Sequence, residues 1–154
     1  ISSGCNNLCS YRIMRYSRGR EVSRNTEEML KEVNGAIEKG FKEVVLIGQN
    51  VNSYGTDLNT PKSPFDKGNC IVNMGMNSFQ STFPKLLEEV AKKKLKKISF
   101  VSSNPWDFSD ELIEVIAKNK NIDRLLHLPF QSGDDEILKK MNRGYTQKEY
   151  LNLV

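Results

Sequence analysis

Amphipathic helix signals alternate with short apolar runs along this chain, and that alternation limits its fold more than any other feature. Asn25 can cap a helix, with Glu28 reaching back from the third helical position as in a capping box. Met29, Leu30, Val33 and Ile37 then form one apolar stripe, and Gly40 stands where a helix-ending glycine should. Val44-Val45-Leu46-Ile47 follows at once, a continuous apolar run of the kind that parallel strands bury on both faces. The unit recurs. Thr82 can cap a helix with Pro84 in its first turn and Leu86, Leu87, Val90 and Ala91 on its inner face, and a strand is predicted over Ile98-Ser99-Phe100-Val101. Ser109 caps a third helix, with Asp110 and Glu111 in the first turn and Leu112, Ile113, Val115 and Ile116 on the apolar side. A strand from Leu125 to Leu128 is predicted next, and Ser132 with Asp135, then Thr146 with Glu149, open two closing helices.

Such alternation predicts an α/β fold with a parallel sheet and right-handed crossovers. An open doubly wound sheet and a partial barrel both satisfy it. Both place chemistry at the C-terminal ends of the strands. The loops to inspect are therefore "GQNVNSYG", "SSNPWDF" and "PFQSG". The cysteine-bearing loop joins the same edge if Ile1-Ser2-Ser3 is the tail of a first strand. Ordinary turn chemistry explains any one of these loops alone. Four on one rim point to a site. The stretch from Thr56 to Ser81 breaks the rhythm and reads as a surface insertion; Cys70 within it reads as an incidental thiol.

A chain of 154 residues fits one domain or most of one. No apolar run approaches the roughly 20 residues of a spanning helix. The opening Ile-Ser-Ser-Gly-Cys has neither the basic start nor the apolar stretch of a signal peptide, and with no initiator Met the chain is expected to begin within a longer protein. A net charge of +4 permits contact with nucleic acid without demanding it. The run Lys92-Lys93-Lys94-Leu95-Lys96-Lys97 reads first as a solvated helix end and second as a phosphate-binding patch. Three cysteines form no secreted disulfide framework, so a reducing, cytoplasmic setting is expected, and clustered cysteines there suggest metal or catalysis.

Cys5 and Cys9 are spaced C-x3-C, and Arg12 stands where a third thiolate would complete a cluster loop. A [4Fe–4S] cluster takes thiolate ligands from such loops, but this spacing alone is a weak motif. The neighbouring words add to it: "GCNNLCSY", "YSRGREVSR", "EVVLIGQNVNSYG", "DFSDELIEVIA", "HLPFQSG" and "LKKMNRGYTQKEYLNLV". In this order they resemble the MiaB-type tRNA methylthiotransferases, which are radical S-adenosylmethionine (SAM) enzymes. The resemblance covers nearly all the chain outside the Thr56–Ser81 insertion.

The resemblance implies a partial radical SAM (β/α)6 barrel, with about four βα units in residues 1–154. The family's auxiliary-cluster domain and its C-terminal TRAM domain are expected to lie outside this chain. It implies a [4Fe–4S] cluster and SAM as cofactors, and tRNA (the anticodon stem-loop) as partner. The reaction implied is methylthiolation at adenine C2 of N6-isopentenyladenosine next to the anticodon, by a cytoplasmic, monomeric protein without a membrane partner. Carried over by position, Cys5 and Cys9 are the metal ligands. Gln49, Asn50, Ser102, Ser103, Gln131 and Ser132 are the cofactor contacts, and Arg18 and Arg24 meet cofactor or RNA phosphate. Alternatives are a degenerate RNA- or SAM-binding module without radical chemistry, and methylthiolation of another adenosine or of a ribosomal protein.

Two departures bear on this. Arg12 stays protonated and offers only donors, so it cannot ligate iron, and Arg15 replaces a proline usual in the family. Two thiolates could hold a labile or smaller cluster, or a replacement ligand such as Cys70 could come from elsewhere. Arg12 could equally be a sequence error or an inactivating change, and the chain alone is expected to be inactive. The remaining polar residues have plainer readings. His127, the only histidine, reads as a packed strand-end residue, Asp134 and Asp135 as helix N-terminal charges, and Trp106 as either loop packing or a base-stacking platform.

Overall fold

The computed structural model describes residues 1–58 and 81–154, so Cys70 and nearly all of the expected insertion lie outside the described residues. In chain order the elements are β1 (Ser2–Ser3), α1 (Met14–Arg18), β2 (Val22–Ser23), α2 (Thr26–Glu38), β3 (Glu43–Leu46), α3 (Phe83–Ala91), β4 (Lys97–Phe100), α4 (Asp110–Lys118), α5 (Asp135–Lys140) and α6 (Gln147–Leu153). The α/β class is as expected.

The central units form where the sequence periodicity puts them. Asn25 caps α2 by accepting the Glu27 and Glu28 N–H groups at 2.8 and 3.4 Å. Gly40 ends that helix with φ 87°, a conformation costly for a side chain with a Cβ. β3 and β4 pair in parallel, with Val44 opposite Ile98 and Leu46 opposite Phe100. Ser109 caps α4 through the Leu112 N–H at 3.2 Å, and Thr146 with Glu149 forms the complete capping box of α6. The apolar faces of α2, α3 and α4 meet the sheet in one core. Phe83, Leu87, Val90 and Ile98 are fully buried there, and Phe83 stands edge-on to Phe100 at 5.2 Å. The lysine run follows the end of α3. Lys92 pairs with Glu89, Lys97 pairs with Asp123, and Leu95 turns inward to the core.

Several sequence expectations shift. The run at 44–47 is not buried on both faces: Val45 and Ile47 are exposed. Thr82 precedes α3 but makes no capping bond; Ser81 Oγ accepts the Phe83 N–H instead, at 3.1 Å. The strand expected over 125–128 does not form. The third parallel position is a single bridge from Ile98 to Ile122, which is buried, whereas Leu125 is 84% exposed. The apolar run at 125–128 suggested a strand, but burial selects Ile122, and the edge of β4 pairs there instead. The opening residues do not join the parallel sheet as a first strand. β1 pairs antiparallel with β2, Ser2 opposite Ser23, while the Ile1 nitrogen donates to the Ile47 carbonyl at 2.7 Å. That contact still sets the cysteine loop beside the end of β3. Finally, α5 is capped by Asp134, which accepts the Ile137 N–H at 2.9 Å, and not by Ser132. Among the described residues the sheets hold two strands each, and no closed sheet is present.

Candidate functional site

The loops after β3 and β4, the segment 127–131 and the cysteine loop converge on one cleft of about 470 Å³. Cys5, Cys9, Gln49, Asn50, Ser102, Ser103 and Gln131 all line it, together with Arg12. Three residues expected at the site do not line it. Ser132 accepts the Asp134 N–H at 3.1 Å, a turn contact. Arg24 pairs with Glu32 at 2.8 Å on the surface, and Arg18 lies in the last turn of α1.

The cysteine loop is shaped at both of its ends. Gly4 has φ 71°, and a Cβ there would lie 2.0 Å from the Arg20 carbonyl oxygen, so only glycine fits. The Cys5 N–H donates to the Gly19 carbonyl at 3.2 Å, and the Glu21 N–H donates to the Asn6 side chain at 3.2 Å. Cys5 is buried, and burial pushes its thiol up from the usual range. The other end of the loop is held by residues about 130 positions away in the chain. The Ser10 N–H and hydroxyl donate to the Met141 and Lys140 carbonyls, at 3.3 and 2.5 Å. The Asn142 amide donates to the Leu8 carbonyl at 2.7 Å, and the Arg143 guanidinium donates to the Tyr11 hydroxyl. The words "GCNNLCSY" and "MNRGY" are thus two faces of one hydrogen-bonded clasp.

Two residues of the far wall carry backbone strain. Ser102 and Gln131 adopt φ 68° and 70°, a conformation uncommon outside glycine that gathers at binding sites. Their neighbours hold them there. The Ser102 N–H donates to His127 Nδ1 at 3.1 Å, and the Tyr11 hydroxyl donates to Gln131 Oε1 at 3.1 Å. His127 is therefore a cleft residue and not a packed one; the apolar neighbours that suggested packing are themselves largely outside the core. Trp106 packs beside Tyr145 with ring centres 6.0 Å apart, which is the loop-packing role.

Behind the lining lie two carboxylates, Glu21 buried and Asp107 partly buried. The Ser53 hydroxyl donates to Glu21 at 2.7 Å, and the Asn50 amide donates to Asp107 at 2.5 Å. Burial raises both groups, Glu21 to about 7. Several polar atoms of the lining have no partner: Asn50 Oδ1, Ser103 Oγ, both amide atoms of Asn104, and Arg143 Nε, all buried. An unsatisfied buried group costs about 1–3 kcal/mol. Their gathering on one cleft marks a wall built to meet a polar ligand. Sequence reasoning missed Asn104, His127 and Arg143; the signal available was their place within "SSNP", "HLPFQSG" and "MNRGY".

The profile of the radical SAM superfamily matches residues 1–154. The chain belongs to the radical SAM superfamily. It is similar to proteins named tRNA-2-methylthio-N(6)-dimethylallyladenosine synthase from several bacteria. The one from Fusobacterium nucleatum is 50% identical over all of this chain and 31% of its own length. That from Lachnoclostridium phytofermentans is 46% identical over all of this chain and 30% of its own length. That from Staphylococcus haemolyticus is 42% identical over all of this chain and 26% of its own length. The chain thus spans under a third of the length of these relatives.

Radical SAM chemistry uses a [4Fe–4S] cluster and SAM. The orphaned polar atoms fit a polar small molecule. The donor set does not fit a three-thiolate cluster. Cys5 and Cys9 line the cleft, but the third lining position is the guanidinium of Arg12, and among the described residues no three His, Cys, Asp or Glu side chains gather as a ligand set.

Proposed function

We propose that this chain is the radical SAM core region of a tRNA methylthiotransferase, acting on N6-isopentenyladenosine beside the anticodon. The observation that carries this reading is 50% identity over the full chain to a protein named for that product. The convergence of seven of the ten expected site residues on one cleft supports it. In this reading the described strands belong to a partial (β/α)6 barrel, and the auxiliary-cluster and TRAM regions belong to the rest of a longer, monomeric, cytoplasmic protein. Cys5 and Cys9 serve as metal ligands, Gln49, Asn50, Ser102, Ser103 and Gln131 face the cofactor, and Arg18 and Arg24 meet the anticodon stem-loop. With Arg12 in the third place the ligand set is incomplete, and the chain is inactive alone.

A chimera tests the reading. The corresponding region of the Fusobacterium protein is replaced by this chain and expressed in cells lacking their own enzyme, and tRNA nucleosides are read by mass spectrometry. The Arg12→Cys chimera restores 2-methylthio-adenosine derivatives, and the Arg12 chimera does not. Failure of the Arg12→Cys chimera, with the protein folded and tRNA otherwise normal, would contradict the assignment. Arg12 itself favours a second reading, a cleft that keeps ligand or RNA affinity without radical chemistry.

A further inference from the structure

We propose that the cleft of this chain binds a phosphate-bearing nucleotide, with Arg12 engaging the phosphate from the position of the missing thiolate. The inference rests on reading Arg12 as the third ligand position, and the test below separates the two.

Charge points to an anion. Arg12, Arg15 and Arg143 all line the cleft, and among the described residues no carboxylate does. The carboxylates behind it, Glu21 and Asp107, already accept bonds from Ser53 and Asn50. Arg12 and Arg143 are held over the same ring, 5.7 and 5.5 Å from the centre of Tyr11, and Arg143 also lies 5.6 Å from the centre of Trp106. Two guanidinium groups near one ring concentrate positive charge on this wall of the cleft, which favours an anion there. A turn closed by the Arg12 N–H on the Cys9 carbonyl, at 3.3 Å, fixes the backbone from which Arg12 projects.

The lining adds hydrogen-bonding capacity that this chain leaves unused. Arg143 Nε and Asn104 Nδ2 are buried donors without partners, and Ser103 Oγ is a buried hydroxyl without one. Guanidinium forks match phosphate oxygens in pairs, and three of them favour a polyanion over a single carboxylate. A volume of about 470 Å³ is too large for bare phosphate and falls within the ordinary range for a nucleotide-sized ligand. Ile13, Met14 and Pro129 supply an apolar part of the lining for the nucleoside.

The full chain, freed of iron, is titrated calorimetrically with ADP, adenosine and inorganic phosphate at low ionic strength. ADP is expected to saturate one site, with adenosine at least tenfold weaker and inorganic phosphate weaker still. Arg12→Gln weakens ADP tenfold or more while the melting curve stays in place. Should Arg12→Gln disturb folding, Arg12→Lys, which keeps the charge and loses the fork, is expected to give an intermediate affinity. Displacement of ADP by a short RNA hairpin would assign the phosphate to RNA, and ADP binding undisturbed by the hairpin would assign it to a free nucleotide. Equal affinity for ADP and adenosine, no binding of ADP, or full ADP affinity in a folded Arg12→Gln would overturn the proposal. The Arg12→Cys chain separates the underlying readings. Iron uptake by that variant reports on the ligand position, whereas ADP binding by the unaltered chain reports on the nucleotide site.

Discussion

Met29 to Tyr54 and Phe83 to Ile122 contribute to one apolar core, in which Phe83, Leu87, Val90 and Ile98 are fully buried. The cysteine loop and the chain beyond Ile122 add to it only the partly buried Ile1 and Leu126. They are joined by hydrogen bonds, Ser10 to the end of α5, Asn142 to Leu8, Arg143 to Tyr11, and Tyr11 to Gln131, and by local packing outside that core, with Leu138 and Tyr145 buried and Tyr145 beside Trp106 and Tyr150. The first region is stabilised by area removed from water, which is insensitive to which apolar side chain supplies it within limits of size. The second depends on donors and acceptors in fixed places. Substitution in the first is felt across the fold, and substitution in the second is felt at the cleft. A residue such as Arg12 can therefore stand in the rim while leaving the core as it is.

The largest effect should come from the core. Phe83→Ala removes a fully buried ring that stands against Phe100 and should cost about 3–5 kcal/mol. The check is denaturant unfolding with an unchanged m-value. A loss below about 1 kcal/mol would mean that the two regions are not distinct in the way described.

Next is the buried carboxylate beneath the rim. Glu21 is raised from an ordinary 4.5 to about 7 by burial, so the native state holds its proton more tightly than the unfolded chain does. That contribution, roughly 3 kcal/mol at full size, is present below pH 4.5 and fades as pH rises through about 7. Stability should decline over that window, and Glu21→Gln should flatten the decline. An unchanged slope in Glu21→Gln would place the titration elsewhere.

The smallest effect sharpens the contrast most. Asn142→Ala removes the donor to Leu8 and should cost roughly 1 kcal/mol. Amide exchange should speed up over residues 8–12 and stay unchanged at Val90 and Ile98. Equal loss of protection in both regions would show that the clasp and the core unfold as one unit.

The same contrast explains what the sequence revealed. Helix periodicity and caps at Asn25, Ser109 and Thr146 are local signals, and the core half follows them closely. The first strand misled because Ile1-Ser2-Ser3 pairs backward with β2, where Gly4 lies close against the Arg20 backbone, and apolar pattern does not signal that pairing. The strand expected at 125–128 misled because its apolar run resembles a buried one while Leu125 faces solvent. At the site, Cys5, Cys9, Gln49 and Ser102 were legible from motif and rim position. Asn104, His127 and Arg143 were not, because their roles arise from contacts to residues distant in sequence, which no local period encodes.

Arg12 leaves the cleft with too few thiolates for a full cluster. Anaerobic reconstitution with iron and sulfide, followed by iron counting and assay of SAM cleavage, tests it most directly in the chain and its Arg12→Cys variant. Substoichiometric iron and no 5′-deoxyadenosine are expected from the chain itself, and a four-iron cluster in Arg12→Cys. A full four-iron cluster with 5′-deoxyadenosine formed by the unaltered chain would contradict it.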